Sequence, residues 1–144
     1  MTEILTLINE IIKQIRSLFE FFKPDKEVTL DEIETKVRQV MLEMGRQIVE
    51  GIIRFRGTGY MGKVIRTPEG ELAEYHEKRS RTIETLMGPV KIERAYYRVS
   101  GGGYVPLDES LSLPEERYSY TAQEAMSLFA IEDSYEESAK KLSL

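Results

Sequence analysis

The sequence predicts an α+β fold: two long N-terminal helices, a small antiparallel β-meander and two short C-terminal helices. Three observations predict it. Apolar residues recur at three- and four-residue steps as far as about Arg56, β-branched and aromatic runs broken by glycine turns follow, and helix-capping patterns return after Pro114. The chain divides accordingly into a helical arm over 1–56, a β-meander over 57–110, and over 111–144 a loop with the start of an incomplete helix-turn-helix.

From Thr2 to Phe22 the positions Ile4, Leu7 or Ile8, Ile11, Ile15, Leu18 or Phe19 and Phe22 form the stripe of an amphipathic helix, and Pro24 stops it. Thr29 with Glu32 forms a capping box. A second stripe then runs through Ile33, Val37, Val40, Met41, Met44, Ile48, Ile52 and Phe55, giving a helix of roughly 25 residues, or nearly 40 Å. A small sheet cannot bury two such helices. We therefore expect pairing, with a second copy in a homodimer or with each other in an intramolecular hairpin laid on the sheet; no strict heptad repeat is sustained.

After Gly57-Thr58-Gly59 the pattern changes to strands. Lys63 to Thr67, a Pro68-Glu69-Gly70 turn, Leu72 to His76, Arg81 to Met87 and Val90 to Val99 follow one another, with Gly88-Pro89 as the central turn. Gly101-Gly102-Gly103 makes a further reversal, from which Tyr104 to Leu107 can pair back. Leu111 to Arg117 is a loop around Pro114. Thr121 with Glu124 then marks a helix to Ile131, and Ser134 with Glu137 marks another, with Ala139 and Leu142 facing inward.

Composition excludes several functions. With no cysteine and one histidine, the chain offers no disulfide, no thiolate metal site and no histidine pair for zinc. Charged residues interrupt every apolar run of the N-terminus, so neither a membrane span nor a signal peptide is read there, and a cytoplasmic location is expected. The net charge of −5 conceals an asymmetry: 61–104 holds eight Lys and Arg against six Asp and Glu, whereas 105–144 holds three against nine. Such an acidic end opposes tight DNA binding by the chain alone.

The run Gly57-Thr-Gly-Tyr-Met-Gly62 spells G-x-G-x-x-G, but it follows a helix and precedes a strand, the reverse of a dinucleotide site, and is read as a joint. His76 has no orienting partner at readable spacing, and Asp25, Asp31, Asp108 and Asp133 lie in turn or cap contexts. No catalytic residue, metal or cofactor is therefore nominated. The candidate DNA-binding residues are Arg79, Arg81, Lys91, Arg94 and Arg98, interleaved with Tyr96 and Tyr97, where cations would position phosphates and tyrosines would stack. Strand alternation divides them between faces, Val90, Ile92, Arg94 and Tyr96 on one and Lys91, Glu93, Ala95, Tyr97 and Val99 on the other. Tyr118, Tyr120 and Tyr135 are expected to pack inside.

Several of these residues also carry a family resemblance. Arg79-x-Arg81-Thr82-x-x-Thr85-Leu86-Met87-Gly88-Pro89-Val90, then Arg94-x-Tyr96-Tyr97-Arg98, then Gly103-Tyr104-Val105-Pro106-Leu107-Asp108-x-x-Leu111-x-Leu113-Pro114, resemble the N-terminal region of insertion-sequence transposases of the ISKra type. Gly45-Arg46, Tyr118-Ser119 and the segment Ser134 to Leu142 are similar to the flanking family pattern, so that the resemblance covers about two-thirds of the chain. Many relatives carry cysteine pairs in the strand turns, forming a small zinc element; here Ser100-Gly101-Gly102-Gly103 stands instead, and glycine geometry must replace the metal clip. The family's acidic catalytic domain would lie beyond Leu144.

The resemblance implies a non-catalytic N-terminal fragment of a DNA transposase that cuts nothing alone. The helical arm would self-associate, and the basic hairpin would help position DNA in the complete enzyme. The alternative is a stand-alone interaction module that pairs with a full-length transposase and regulates it.

Overall fold

Thr29 begins the central helix as its sequence requires: its hydroxyl accepts the Glu32 N–H at 3.2 Å while the Glu32 carboxylate accepts the Thr29 N–H at 3.4 Å. In the computed structural model, which describes residues 1–142, this helix is α2 (Leu30–Arg56), preceded by α1 (Thr2–Phe21). The two are antiparallel neighbours in one chain. Leu7 lies where a Cβ on Gly51 would be, and further along Gln14 donates to Gln47 at 2.7 Å. The hairpin arrangement is thus the one formed within the chain.

The sheet follows as β1 (Val64–Arg66), β2 (Leu72–Thr85), β3 (Gly88–Val99) and β4 (Gly102–Tyr104), all antiparallel in the order β1-β2-β3-β4. The expected strands Leu72 to His76 and Arg81 to Met87 are one strand. Glu77 to Ser80 lacks the apolar alternation that marks a strand, yet these residues pair with Glu93 to Tyr96, and a bulge at His76 absorbs the change of register. Tyr104 ends β4. Beyond it the expected pairing as far as Leu107 gives way to a short helix, α3 (Pro106–Ser110), opened by Pro106 at a position that needs no backbone donor.

The C-terminal part corrects the sequence reading most. One continuous helix, α4 (Tyr120–Leu142), replaces the two short helices, and no turn separates them in the described residues. Asp133-Ser134 carries capping chemistry but neither Gly nor Pro, so the helix passes through it at small cost. Its N-terminus is capped by Ser119, whose hydroxyl accepts the Ala122 N–H at 3.2 Å, rather than by Thr121. Ala139 is exposed, Tyr118, Tyr120 and Tyr135 are exposed rather than packed, and the side chain of Leu142 lies outside the described residues. Among the described residues no helix is long and apolar enough to cross a membrane.

Two small cores flank β3. Toward the β2-β3 turn, Ile83, Val90 and Ile92 pack with Leu107, and with Val49 and Ile53 of α2. Toward the other end, Ala95 and Tyr97 pack with Ile65 and Ala73. Strand pleating puts Val90 and Ile92 on one face and Ala95 and Tyr97 on the other.

Candidate nucleic-acid interface

Arg79 and Arg94 are directly opposed in the β2-β3 register, on the same face. Two like charges so placed repel each other unless each is diverted to a partner of its own. Arg79 Nε donates to Glu77 Oε1 at 2.6 Å, and its guanidinium lies 3.6 Å from the centre of the Tyr96 ring. That hydrogen bond holds the Glu77 carboxyl below its ordinary range. Arg94 turns the other way and donates from Nη1 to Asp108 Oδ2 at 2.6 Å, with Arg94 Nε and Asp108 Oδ1 buried and lacking partners among the described residues.

The remaining nominated cations have different fates. Arg81 donates from Nη2 to the carbonyls of Pro114 and Glu116, the latter at 2.8 Å, and so ties the 111–117 loop to β2. Arg98 Nη2 meets His76 Nε2 at 2.9 Å, a contact in which the guanidinium can only donate. Lys91 differs. Its backbone N–H donates to Glu50 at 3.0 Å, while its side chain has no ion pair among the described residues and lines a cleft of about 170 Å³ with Glu50, Arg54 and Glu93.

The five residues therefore do not gather into one positive surface. Arg79 and Arg94 are neutralised by carboxylates, Arg81 is engaged by backbone carbonyls and Arg98 by His76 on the same face, and Lys91 stands on the opposite face between acidic neighbours. Tyr96 and Tyr97 also separate. Tyr97 is wholly buried, and its hydroxyl accepts the Met61 N–H at 2.9 Å and donates to the Gly62 carbonyl at 2.8 Å. Tyr96 covers β4 so closely that a Cβ on Gly103 would overlap its ring.

That packing explains two glycine motifs. Gly57, Gly59 and Gly62 have φ of 91°, 81° and 116°, and Gly59 also lies against the Leu107 backbone, so the G-x-G-x-x-G run is a joint folded onto α3. In the other motif, Gly101 reverses the chain at φ 82° and Gly103 admits Tyr96.

Sequence reasoning missed the grip of α2 on the strand turn. Arg46 is held by Glu43 at 2.8 Å and Glu50 at 3.2 Å, and its Nη1 reaches the Pro89 carbonyl at 3.5 Å. Gly45 sits beside Met87, whose side chain would be 3.1 Å from an added Cβ. The Gly45-Arg46 pair was the only signal that could have pointed to this contact. Among the described residues no three His, Asp or Glu side chains are gathered as metal ligands.

A family model described as an uncharacterised protein family, UPF0236, matches residues 23–144. The chain belongs to the UPF0236 family. The UPF0236 match takes in α2, the whole sheet, α3 and α4, and leaves α1 outside it. No curated protein and no solved structure matches the chain.

Proposed function

We propose that this chain is the non-catalytic N-terminal portion of a DNA transposase from an insertion sequence, contributing self-association and weak DNA positioning. The observation that carries the reading is a meeting of its motif segments. Gly45-Arg46 of α2 docks on Met87-Gly88-Pro89, Arg81 holds the carbonyl of Pro114, and Arg94 holds Asp108. Residues spread over some seventy positions of the resemblance thus form one interlocked unit. This supports reading them as a fold signature of the transposase region they resemble.

The hairpin suits a supporting role at DNA better than a primary one. Cations already paired to carboxylates lend little field to a phosphate backbone, whereas Arg81, Arg98 and Lys91 make no direct ion pair among the described residues, although Glu77 lies near Arg98, and Glu50 and Glu93 near Lys91. The test is incubation of the pure chain with supercoiled DNA and magnesium. The expected result is a weak, salt-sensitive mobility shift without strand cleavage. Metal-dependent cleavage overturns the non-catalytic assignment, and the absence of any shift at low salt overturns the DNA-positioning role.

A further inference from the structure

We infer that the exposed side of the α1-α2 hairpin is a homodimer interface, closed by a second copy into a four-helix bundle. The inference deepens the self-association proposed above and rests on that part of the reading. Its basis is a double stripe on α1. Ile4, Leu7, Ile11, Gln14 and Leu18 are half-buried toward α2, while a second row, Leu5, Ile8, Ile12, Ile15 and Phe19, runs beside it and is exposed. Both rows advance by alternating steps of three and four, the spacing of a helix that packs against two neighbours at once.

Among the described residues no second neighbour covers this row. On α2 the matching row is Met41, Ile48, Ile52 and Phe55, with Ile52 56% and Phe55 67% exposed. Ile8 and Ile11 line one apolar groove of about 350 Å³ together with Ile48, Ile52 and Phe55, which places both rows on the same side of the hairpin. The opposite side is mixed, with Glu10, Lys13, Lys36 and Glu43 set around Leu18, Phe21 and Val40.

Three features select a second copy as the occupant. The two rows comprise nine large apolar residues, each 39–77% exposed, a patch of the scale that a stable interface of roughly 800 Å² per partner requires. Neither row contains a charged residue, and the groove between them is edged by one acidic and one basic residue, Glu3 and Arg54, so no single sign of charge dominates the face. The rows are also centred alike: the Leu7-Gly51 and Gln14-Gln47 contacts put Ile12 near the height of Ile48, and a twofold axis at that level superposes each row on its own copy. The apolar residues of α4 make a poorer partner, since Leu128, Ile131 and Tyr135 lie on one side of that helix and Met126 and Phe129 on another.

Sedimentation velocity at roughly 1–100 µM, a range that populates an interface of this size, tests the proposal. The wild type is expected at twice the chain mass, Ile12→Glu and Ile52→Glu at the chain mass with helical circular dichroism retained, and the opposite-side Ser17→Glu still at twice the mass. A monomeric wild type, or a dimer that survives both glutamates, overturns the interface. Because the chain has no cysteine, Ser17→Cys on the other side of α1 accepts a single dye outside the interface. Energy transfer between labelled copies that sediment at twice the chain mass supports the axis near Ile12, and its absence from such dimers overturns it. A gel shift of the wild type, set beside its sedimentation, separates the two readings: DNA binding by a monomeric wild type removes the dimer alone, whereas a wild-type dimer that never shifts DNA removes the DNA role alone.

Discussion

Arg94 and Asp108 join the middle of β3 to α3 through a single 2.6 Å hydrogen bond, with side chains only 13% and 30% exposed. The pair is incompletely satisfied, since a second polar atom on each residue is buried without a partner among the described residues. It fixes where α3 sits more than it adds stability, because desolvation offsets much of the attraction. Arg94→Ala leaves the Asp108 carboxylate unpaired and should lower unfolding free energy by about 2–3 kcal/mol. The double change Arg94→Met, Asp108→Leu should cost less than Arg94→Ala alone. Urea unfolding of the three proteins checks this, and a double variant as unstable as the single would show that the ion pair itself stabilises the contact.

Tyr97→Phe removes one hydroxyl and strands two backbone groups, the Met61 N–H and the Gly62 carbonyl. A loss of about 1–2 kcal/mol is expected from those unmade hydrogen bonds. Amide exchange at Met61 should speed up by a larger factor than exchange in the α2 interior, and equal acceleration at both places would contradict the assignment.

Lys91 and Arg81 should respond oppositely to alanine. Arg81→Ala frees the 111–117 loop and lowers the melting temperature, whereas Lys91→Ala leaves it unchanged. If the hairpin positions DNA, Lys91→Ala weakens binding across all sequences and reduces the salt slope by about one. Melting curves paired with salt titrations of a gel shift decide it.

The grip of α2 on the strand turn carries a pH signature. The hydrogen bond from Arg46 holds the Glu43 carboxyl below its ordinary range, opposed by a smaller desolvation effect. A carboxyl with a depressed folded-state pKa stabilises the fold above its unfolded pKa and loses that contribution as pH falls through the folded one. The melting temperature of wild type should therefore exceed that of Glu43→Gln near neutral pH, with the difference closing on acidification through the carboxylate range. A gap that stays constant across the titration would remove Glu43 from the account.

Much of this architecture is legible in the residues because it is local. The apolar spacing of α1 and the Thr29-Glu32 box each act within a few positions and stand where the sequence puts them, whereas the central turn falls on Leu86-Met87, two residues before the expected Gly88-Pro89, which pair with Thr85 and Glu84 at the start of β3. What escaped is tertiary. Glu77 to Ser80 has no apolar alternation of its own and becomes strand only because β3 lies beside it. Asp133-Ser134 has cap chemistry, but a cap forms only if the chain turns there. The candidate site suffered most, since the partners of Arg94 and Arg81 lie 14 and 33 or more residues away and no spacing rule announces them.

The placement of the two cores on opposite sides of β3 also sets how that strand can vary. Its pleat is regular, so parity decides which residues are enclosed, and the parity reverses midway: even positions near Val90 and Ile92, odd positions at Ala95 and Tyr97. Drift is open to Lys91 and Glu93 in the first half and to Arg98 in the second. A single-residue deletion near Arg94 would turn one half of the strand inside out while leaving the other correctly seated.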